Sequence, residues 1–355
     1  MPSQSLPKVT IIIGTFNRAE LLKTAITGGL IQDYPNLEIL ITDNASTDNT
    51  RDVVEEFQRA DERIKYYRND TNIGASENYK RAFFNLADSD WAMFVSDDDY
   101  LTDPRFISDG MNAILLNGED EVAFYQSGVE TYYETTNTRI EFVPNIEEGK
   151  IFEPKEYFLE YFNINFFSFT TTLFNRKAIL EEESDEILSG SDVFLMLILS
   201  LRRRVILSKK ICGVYMVHNA QNYGRSNFKN YLSLFKATYI EILNFALERR
   251  LLPKEKLINW LDSAIRHFQL NIEGWLSGLI KIQKPKPPFY FSVPNWTVNR
   301  IYYRLDQYIH VPFAFSQVNN EEQRPVLKVY LPGIYYHLYW KLYSLSQRIK
   351  LKNIK

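Results

Sequence analysis

Short runs of β-branched, aliphatic and aromatic residues alternate with amphipathic stretches through the first hundred residues. Val9–Ile13, Leu37–Ile41, Ile64–Tyr67 and Trp91–Val95 read as strands. Arg18–Gly28, Thr50–Arg59 and Gly74–Ala87 lie between them as helices, the first with Leu21, Leu22, Ala25 and Ile26 at helical spacing. Strands that alternate with helices in this way predict an α/β fold, a mostly parallel sheet with helices on both faces. Asp103-Pro104 then opens a helix, with Asp at the N-cap and Pro in the first turn, and Asn117-Gly118 closes it.

The pattern becomes mixed beyond that point. Val122–Gln126, Glu130–Tyr133, Phe166–Phe174 and Gly213–Val217 read as extended, and Asp192–Leu201 as a buried helix. From about Lys229 the texture changes to long helical patterns, Tyr231–Arg249 and Lys254–Leu279, interrupted by Lys284-Pro285-Lys286-Pro287-Pro288. The expected organisation is therefore a first domain over 1–225 and a mainly helical, aromatic-rich region over 226–355. No internal repeat is evident.

Composition narrows the options. A net charge of −3 offers no global basic field for nucleic acid. The single cysteine, Cys212, excludes an intrachain disulfide framework and a cysteine-rich metal site. The N-terminal residues Met1 to Lys8 are polar. The longest apolar run, Val193–Leu201, falls far short of the roughly 18 residues a spanning helix needs. The expectation is a cytoplasmic chain, at most peripheral on the inner face of a membrane.

Candidate chemistry gathers where the first four strands end. In an open parallel sheet, ligands bind beyond the carboxyl ends of the strands. Those ends read Gly14-Thr15-Phe16-Asn17-Arg18, Thr42-Asp43-Asn44, Asn69 to Gly74, and Ser96-Asp97-Asp98-Asp99. No G-x-G-x-x-G follows the first strand, so the dinucleotide fingerprint is missing. Three consecutive carboxylates repel one another, which is costly unless a cation sits among them. Mg²⁺ or Mn²⁺ with phosphate oxygens suits such a cluster. A solvated acidic turn is the plainer alternative.

These segments together resemble family 2 of the inverting glycosyltransferases, whose fold is the GT-A nucleotide-diphospho-sugar transferase fold. The resemblance rests on Val9 to Arg18, Ile39 to Asp48, Asn72-Ile73-Gly74 with Asn78, and the aspartate triplet, and extends over roughly residues 7–225. It implies donor contacts from Thr15, Asn17, Arg18, Asp43, Asn44, Asp48, Asn72, Gly74 and Asp97. Asp43 would read the base or its ribose. The family's D-x-D would begin at Ser96, so this chain looks like an S/G-D-D-D form with Asp98 as principal metal ligand, joined by Asp99 and His218. Ser189 to Phe194 resembles the segment that carries the family's catalytic base; Ser191 stands where Glu is usual, and Asp192 remains. Asp48, Asp192 and His218 each have a plainer structural reading, as helix caps and a packed imidazole.

The implied reaction is metal-assisted single displacement with inversion. A sugar passes from a UDP- or dTDP-sugar donor to a hydroxyl of a glycan or lipid-linked acceptor, as in bacterial surface polysaccharide assembly. A nucleotidyltransferase of similar fold would want a glycine-rich, lysine-bearing phosphate loop, which Gly14-Thr15-Phe16-Asn17 does not supply. A non-catalytic binding subunit of the same fold is the other alternative. Near the C-terminus, Leu331, Ile334, Tyr335, Leu338, Leu342, Leu345 and Ile349 recur at helical spacing before Arg348, Lys350, Lys352 and Lys355. That stripe suits an anionic membrane surface, the catalytic domain or a second subunit.

Overall fold

The computed structural model describes residues 6–164, 166–181, 192–218 and 241–264, with positions 239, 267, 291–292 and 328–329. The chain divides into two compact units, Met1–Ala264 and Ile265–Lys355. In the second, the described residues are the helical His267 and one antiparallel strand pair, Phe291–Ser292 with Lys328–Val329. The division expected at 225/226 and the C-terminal amphipathic stripe lie outside the described residues, as does most of the expected helical extension.

The first unit is built on one twisted, mixed sheet. Its opening half comprises β1 (Val9–Thr15), β2 (Leu37–Asp43), β3 (Ile64–Arg68) and β4 (Trp91–Ser96). They lie parallel in the order β3-β2-β1-β4. The near-continuous apolar runs of β1 and β4 follow from burial on both faces, where β-branched side chains pack well. Ile11, Ile12, Ile13, Trp91, Ala92 and Met93 are all fully enclosed.

Helices α1 (Ala19–Leu30), α2 (Thr50–Ala60) and α3 (Ala75–Arg81) make the crossovers, and α3 continues into a π-helical turn over Ala82–Leu86. Because the chain leaves β1 toward β2 on one side and β4 joins from the other, the sheet reverses its winding between β1 and β4. That reversal is where an open α/β sheet binds ligands.

Beyond β4 come β5 (Tyr100–Leu101), α4 (Phe106–Leu116), β6 (Val122–Tyr133), β7 (Thr138–Phe142), β8 (Ile151–Phe152), α5 (Glu156–Ile164), β9 (Thr172–Asn175), α6 (Arg176–Glu181), α7 (Asp192–Ser200) and β10 (Arg204–Val217). The sheet continues β4-β9-β6-β10-β5, with β7 on β6 and β8 on β10. Strands β6 and β10 are parallel, whereas β9, β5, β7 and β8 run against their partners.

The two segments expected as Val122–Gln126 and Glu130–Tyr133 are one strand. Only the end of the Phe166–Phe174 run joins the sheet, and β10 starts at Arg204 instead of Gly213. The helix Glu241–Glu248 and a helical stretch over 254–264 belong to the same unit. Trp260 anchors the second by stacking on Phe158, centroids 4.4 Å apart, and by donating its indole N–H to Phe158 O at 2.8 Å.

Candidate active site

The carboxyl ends of β1 and β4 meet at the reversal. Gly14 and Ser96 are paired there, so Thr15 and Asp97 follow side by side. Thr15 Oγ1 donates to Asp97 Oδ2 at 2.9 Å. From the entry to α1, Arg18 Nη1 reaches Asp97 Oδ1 at 3.0 Å and Asp98 Oδ2 at 2.9 Å. All three aspartates of the triplet are buried. Burial pushes the Asp97 carboxyl above its usual range, against the pull of Arg18 and the Thr15 hydroxyl. For Arg18, burial acts to lower the pKa, but Asp97 and Asp98 outweigh it and the guanidinium is held up.

Asp98 is the hinge of the cluster. Its Oδ2 lies 2.9 Å from His218 Nε2, which arrives just beyond the end of β10. Its Oδ1 takes no hydrogen bond from the described residues. Asp99 faces elsewhere. Its Oδ2 accepts from Thr170 Oγ1 at 2.7 Å, and its Oδ1 from the Met216 backbone N–H at 3.0 Å. Burial drives the Asp99 carboxyl up to about 7, despite those two donors.

The structure therefore brings Asp98 and His218 together, as the resemblance implies, while both oxygens of Asp99 serve other groups. Among the described residues no cluster of three or more His, Cys, Asp or Glu side chains is arranged to hold a metal ion. The Asp98–His218 pair nonetheless fits two neighbouring ligands. An octahedral ion with bonds of about 2.1 Å sets adjacent donors about 3.0 Å apart and takes its other ligands from water and phosphate.

The remaining strand ends form a connected polar floor. Asp43 is fully buried; it accepts from Ser46 N at 2.8 Å and Tyr66 Oη at 2.6 Å, with Arg68 Nε 3.5 Å away. Burial, then the Asp43 carboxylate, raises the Tyr66 phenol well above its usual range. Asn44 Oδ1 accepts from Asn69 Nδ2 at 3.1 Å and Ile73 N at 2.9 Å, and its amide donates to Asn72 Oδ1 at 2.8 Å. Asn72 Oδ1 in turn accepts from Gly74 N at 2.9 Å. Beneath them Asn78 accepts from Thr42 Oγ1 and Asn69 and donates to Thr42 O.

Gly74 adopts φ 86°, a left-handed value that a side chain resists. Asn17, also left-handed at φ 54°, links two strand ends through Ser46 Oγ and Thr47 N. Asp48 accepts from Ala19 N at 3.2 Å and Thr50 N at 3.1 Å, joining the first turns of α1 and α2. That arrangement is the helix-terminal reading of Asp48. Asp192 opens α7, as expected, but its side chain lies outside the described residues.

Several members of the cluster carried no sequence signal. Thr170 sits in a loop and meets Asp99 71 positions away in the chain. Tyr66 and Arg68 looked like ordinary residues of a half-polar strand. Asn69 opens the polar end read after the third strand but is not among the expected donor contacts; its amide and carbonyl oxygen join Asn44, Asn78 and Arg81.

Residues 10–181 match the family model described as Glycosyl transferase family 2. Among curated proteins, the chain is 30% identical over 179 residues to the GalNAc(5)-diNAcBac-PP-undecaprenol beta-1,3-glucosyltransferase of Campylobacter jejuni, covering 50% of this chain and 56% of that protein. It is 36% identical over 101 residues to the putative colanic acid biosynthesis glycosyl transferase WcaA of Escherichia coli, covering 28% and 35%. The chain thus spans about half the length of the first relative and about a third of the second. Among solved structures, S. aureus TarS 1-349 superposes with a TM-score of 0.54 at 17% identity, covering 74% of this chain and 72% of that one. Residues 10–181 are thus similar to family 2 glycosyltransferases, and the architecture is the GT-A fold.

Proposed function

We propose that the chain transfers a sugar from a nucleoside-diphosphate donor, UDP- or dTDP-linked, to a hydroxyl of a glycan or lipid-linked acceptor, by single displacement with inversion. The observation that carries this reading is the buried Asp97-Asp98-Asp99 turn at the β1/β4 reversal, with Asp98 shared by Arg18 and His218. Two likenesses support the substrate classes. The C. jejuni relative is named for an undecaprenol-linked acceptor, and TarS has been crystallised with UDP, a structure that superposes with a TM-score of 0.51 at 18% identity.

In this reading Thr15 and Arg18 fix Asp97 at the donor's ribose–diphosphate end. Asn17, Asp43, Asn44, Asp48, Asn72 and Gly74 shape the nucleoside side. Asp98 and His218 would hold a Mg²⁺ or Mn²⁺ ion, which when bound supplies charge neutralisation on the departing diphosphate. Asp192 takes the proton of the acceptor hydroxyl as its oxygen bonds the anomeric carbon and the bond to the diphosphate breaks.

No helix among the described residues is long and apolar enough to cross a membrane. Contact with a lipid-linked acceptor would then fall to a surface of the chain, for which the basic, aromatic C-terminal stripe is the candidate; docking of a second copy is its other use. The test incubates the full chain with a panel of UDP- and dTDP-sugars, with Mg²⁺ or Mn²⁺, and measures released nucleoside diphosphate. Turnover with one donor class, abolished by Asp98→Asn, is the expected result. No release across the panel would favour a non-catalytic binding subunit, and release unaffected by Asp98→Asn would remove the site assignment.

A further inference from the structure

The three aspartates do not do the same work. Asp97 is tied to β1 through Thr15 and to the entry of α1 through Arg18, and Asp98 keeps one oxygen without a partner among the described residues. Asp99 is turned the other way, toward β10 and the loop before β9. Its carboxylate accepts one hydrogen bond from each, Met216 N–H at 3.0 Å and Thr170 Oγ1 at 2.7 Å, and both Asp99 and Thr170 are buried.

The chain around Asp99 shows what it joins. Immediately after Asp99 it enters β5, which pairs antiparallel with β10 through Tyr100–Val214 and Leu101–Gly213. Thr102 N adds a bond to Cys212 O at 2.9 Å. Gly213 lets the layers close: a β-carbon there would stand 2.9 Å from Thr171 Cγ2 and 3.1 Å from Tyr100 O. β5 supplies only two residues of pairing, and β10 runs on past it. The end of β10 is paired along its other edge with β6 as far as Val217–Tyr133, and on the β5 side Asp99 continues the hold by accepting from Met216 N–H. Two residues further on stands His218, with its imidazole 2.9 Å from Asp98.

We infer that Asp99 is a positioning residue and not a metal ligand: it clamps the end of β10 to the 168–171 loop and so sets His218 against Asp98. This rests on the proposed assignment of Asp98 and His218 to the divalent cation. An asparagine at 99 preserves the clamp, since its Oδ1 still accepts from Met216 N–H and its amide donates to a Thr170 hydroxyl that rotates to receive it. An asparagine serving in place of a carboxylate ligand would instead forfeit the charge that holds the ion.

The experiment titrates Mn²⁺ into the full chain with saturating UDP, following free Mn²⁺ by electron paramagnetic resonance, for wild type, Asp98→Asn, Asp99→Asn, Asp99→Ala and Thr170→Val. Asp99→Asn should bind Mn²⁺ within about threefold of wild type, whereas Asp98→Asn abolishes binding. Asp99→Ala and Thr170→Val should weaken binding by the roughly 10- to 100-fold typical of lost outer-shell support, and in turnover their loss should appear mainly in the Mn²⁺ concentration needed for half-maximal rate. If Asp99→Ala does not fold, the asparagine and Thr170 variants still decide. Loss of Mn²⁺ binding in Asp99→Asn equal to that in Asp98→Asn would overturn the clamp, as would Thr170→Val indistinguishable from wild type. Absence of Mn²⁺ binding in the wild type both with UDP and, in a parallel titration, with dTDP would instead defeat the proposed function beneath it.

Discussion

Replacing Gly14 by alanine probes how tightly the donor end of the sheet is built. A β-carbon at that position would sit 2.6 Å from Tyr79 Cζ and 2.9 Å from its Cε1 and Oη. The ring is not free to swing away. Its hydroxyl donates to Val95 O at 3.1 Å, and its edge packs against Phe94 with centroids 5.7 Å apart. Overpacking of this kind costs about 1–3 kcal/mol, and the displaced hydroxyl forfeits about 1 kcal/mol more.

The unfolding free energy of Gly14→Ala should therefore fall by about 2–4 kcal/mol. Urea denaturation reads this directly as a lower midpoint at unchanged slope. Because Gly14 adjoins Thr15 and Asp97, KM for the donor should rise in the same variant. Tyr79→Leu removes the colliding atoms, so the double variant should lose at least about 1 kcal/mol less than the two single changes summed. A Gly14→Ala protein within about 0.5 kcal/mol of wild type, or strict additivity in the double variant, would refute the reasoning.

Other outcomes follow from the same geometry. Asn78→Leu strips partners from Thr42 and Asn69 and should cost about 1–3 kcal/mol in denaturant unfolding, with a donor KM raised more than kcat is lowered because the 69–74 loop loses its support. Asp48 is held below the usual carboxylate range: burial opposes this, but the Thr50 side chain and the Thr50 and Ala19 backbone N–H groups outweigh it. A depressed folded-state pKa contributes stability above the unfolded value of about 3.9 and loses it as pH falls through the folded value. The stability gap between wild type and Asp48→Ala should thus be open at pH 7 and close in acid, as thermal melts across pH would show. Gly28→Ala would set a β-carbon 2.7 Å from Leu101 N and 2.9 Å from Leu101 O, backbone atoms that cannot rotate aside. It should lower the melting temperature and, by shifting β5, weaken Mn²⁺ binding measured with UDP.

Much of the first half was legible because both faces of its strands are covered, which leaves uninterrupted apolar runs bounded by polar ends. The triplet after β4 stood out for the same reason: charge clustered where the preceding residues demand burial. The second half hid itself. Ser208, Lys209 and Lys210 interrupt the apolar pattern of β10, and its register with β6 shifts between Leu207 and Ile211 and again before Val214. Periodicity therefore exposes only the stretch from Gly213 onward.

The hairpin β6–β7 was hidden because every residue of β7 is exposed, so no burial pattern marks it. Phe166–Phe174 looked like strand because it is aromatic, yet Phe169 is spent stacking on Phe94 at 4.9 Å. The site divides likewise. Residues on consecutive strand ends could be read in order, whereas the pairing of Asp99 with Thr170 and of Asp98 with His218 depends on strands that meet only after folding. The resemblance supplied Asp98, Asp99 and His218 together; that the Asp99 oxygens face Thr170 and Met216 is visible only in the structure.

The most direct measurement is anomalous diffraction from a crystal of the full chain grown with UDP and Mn²⁺. The expected map has one strong peak bonded to Asp98 and to diphosphate oxygens, beyond the carboxyl ends of β1 and β4, with His218 against it. A manganese peak held by Asp99 and not by Asp98, or UDP seated away from the β1/β4 reversal, would contradict the assignment of this site.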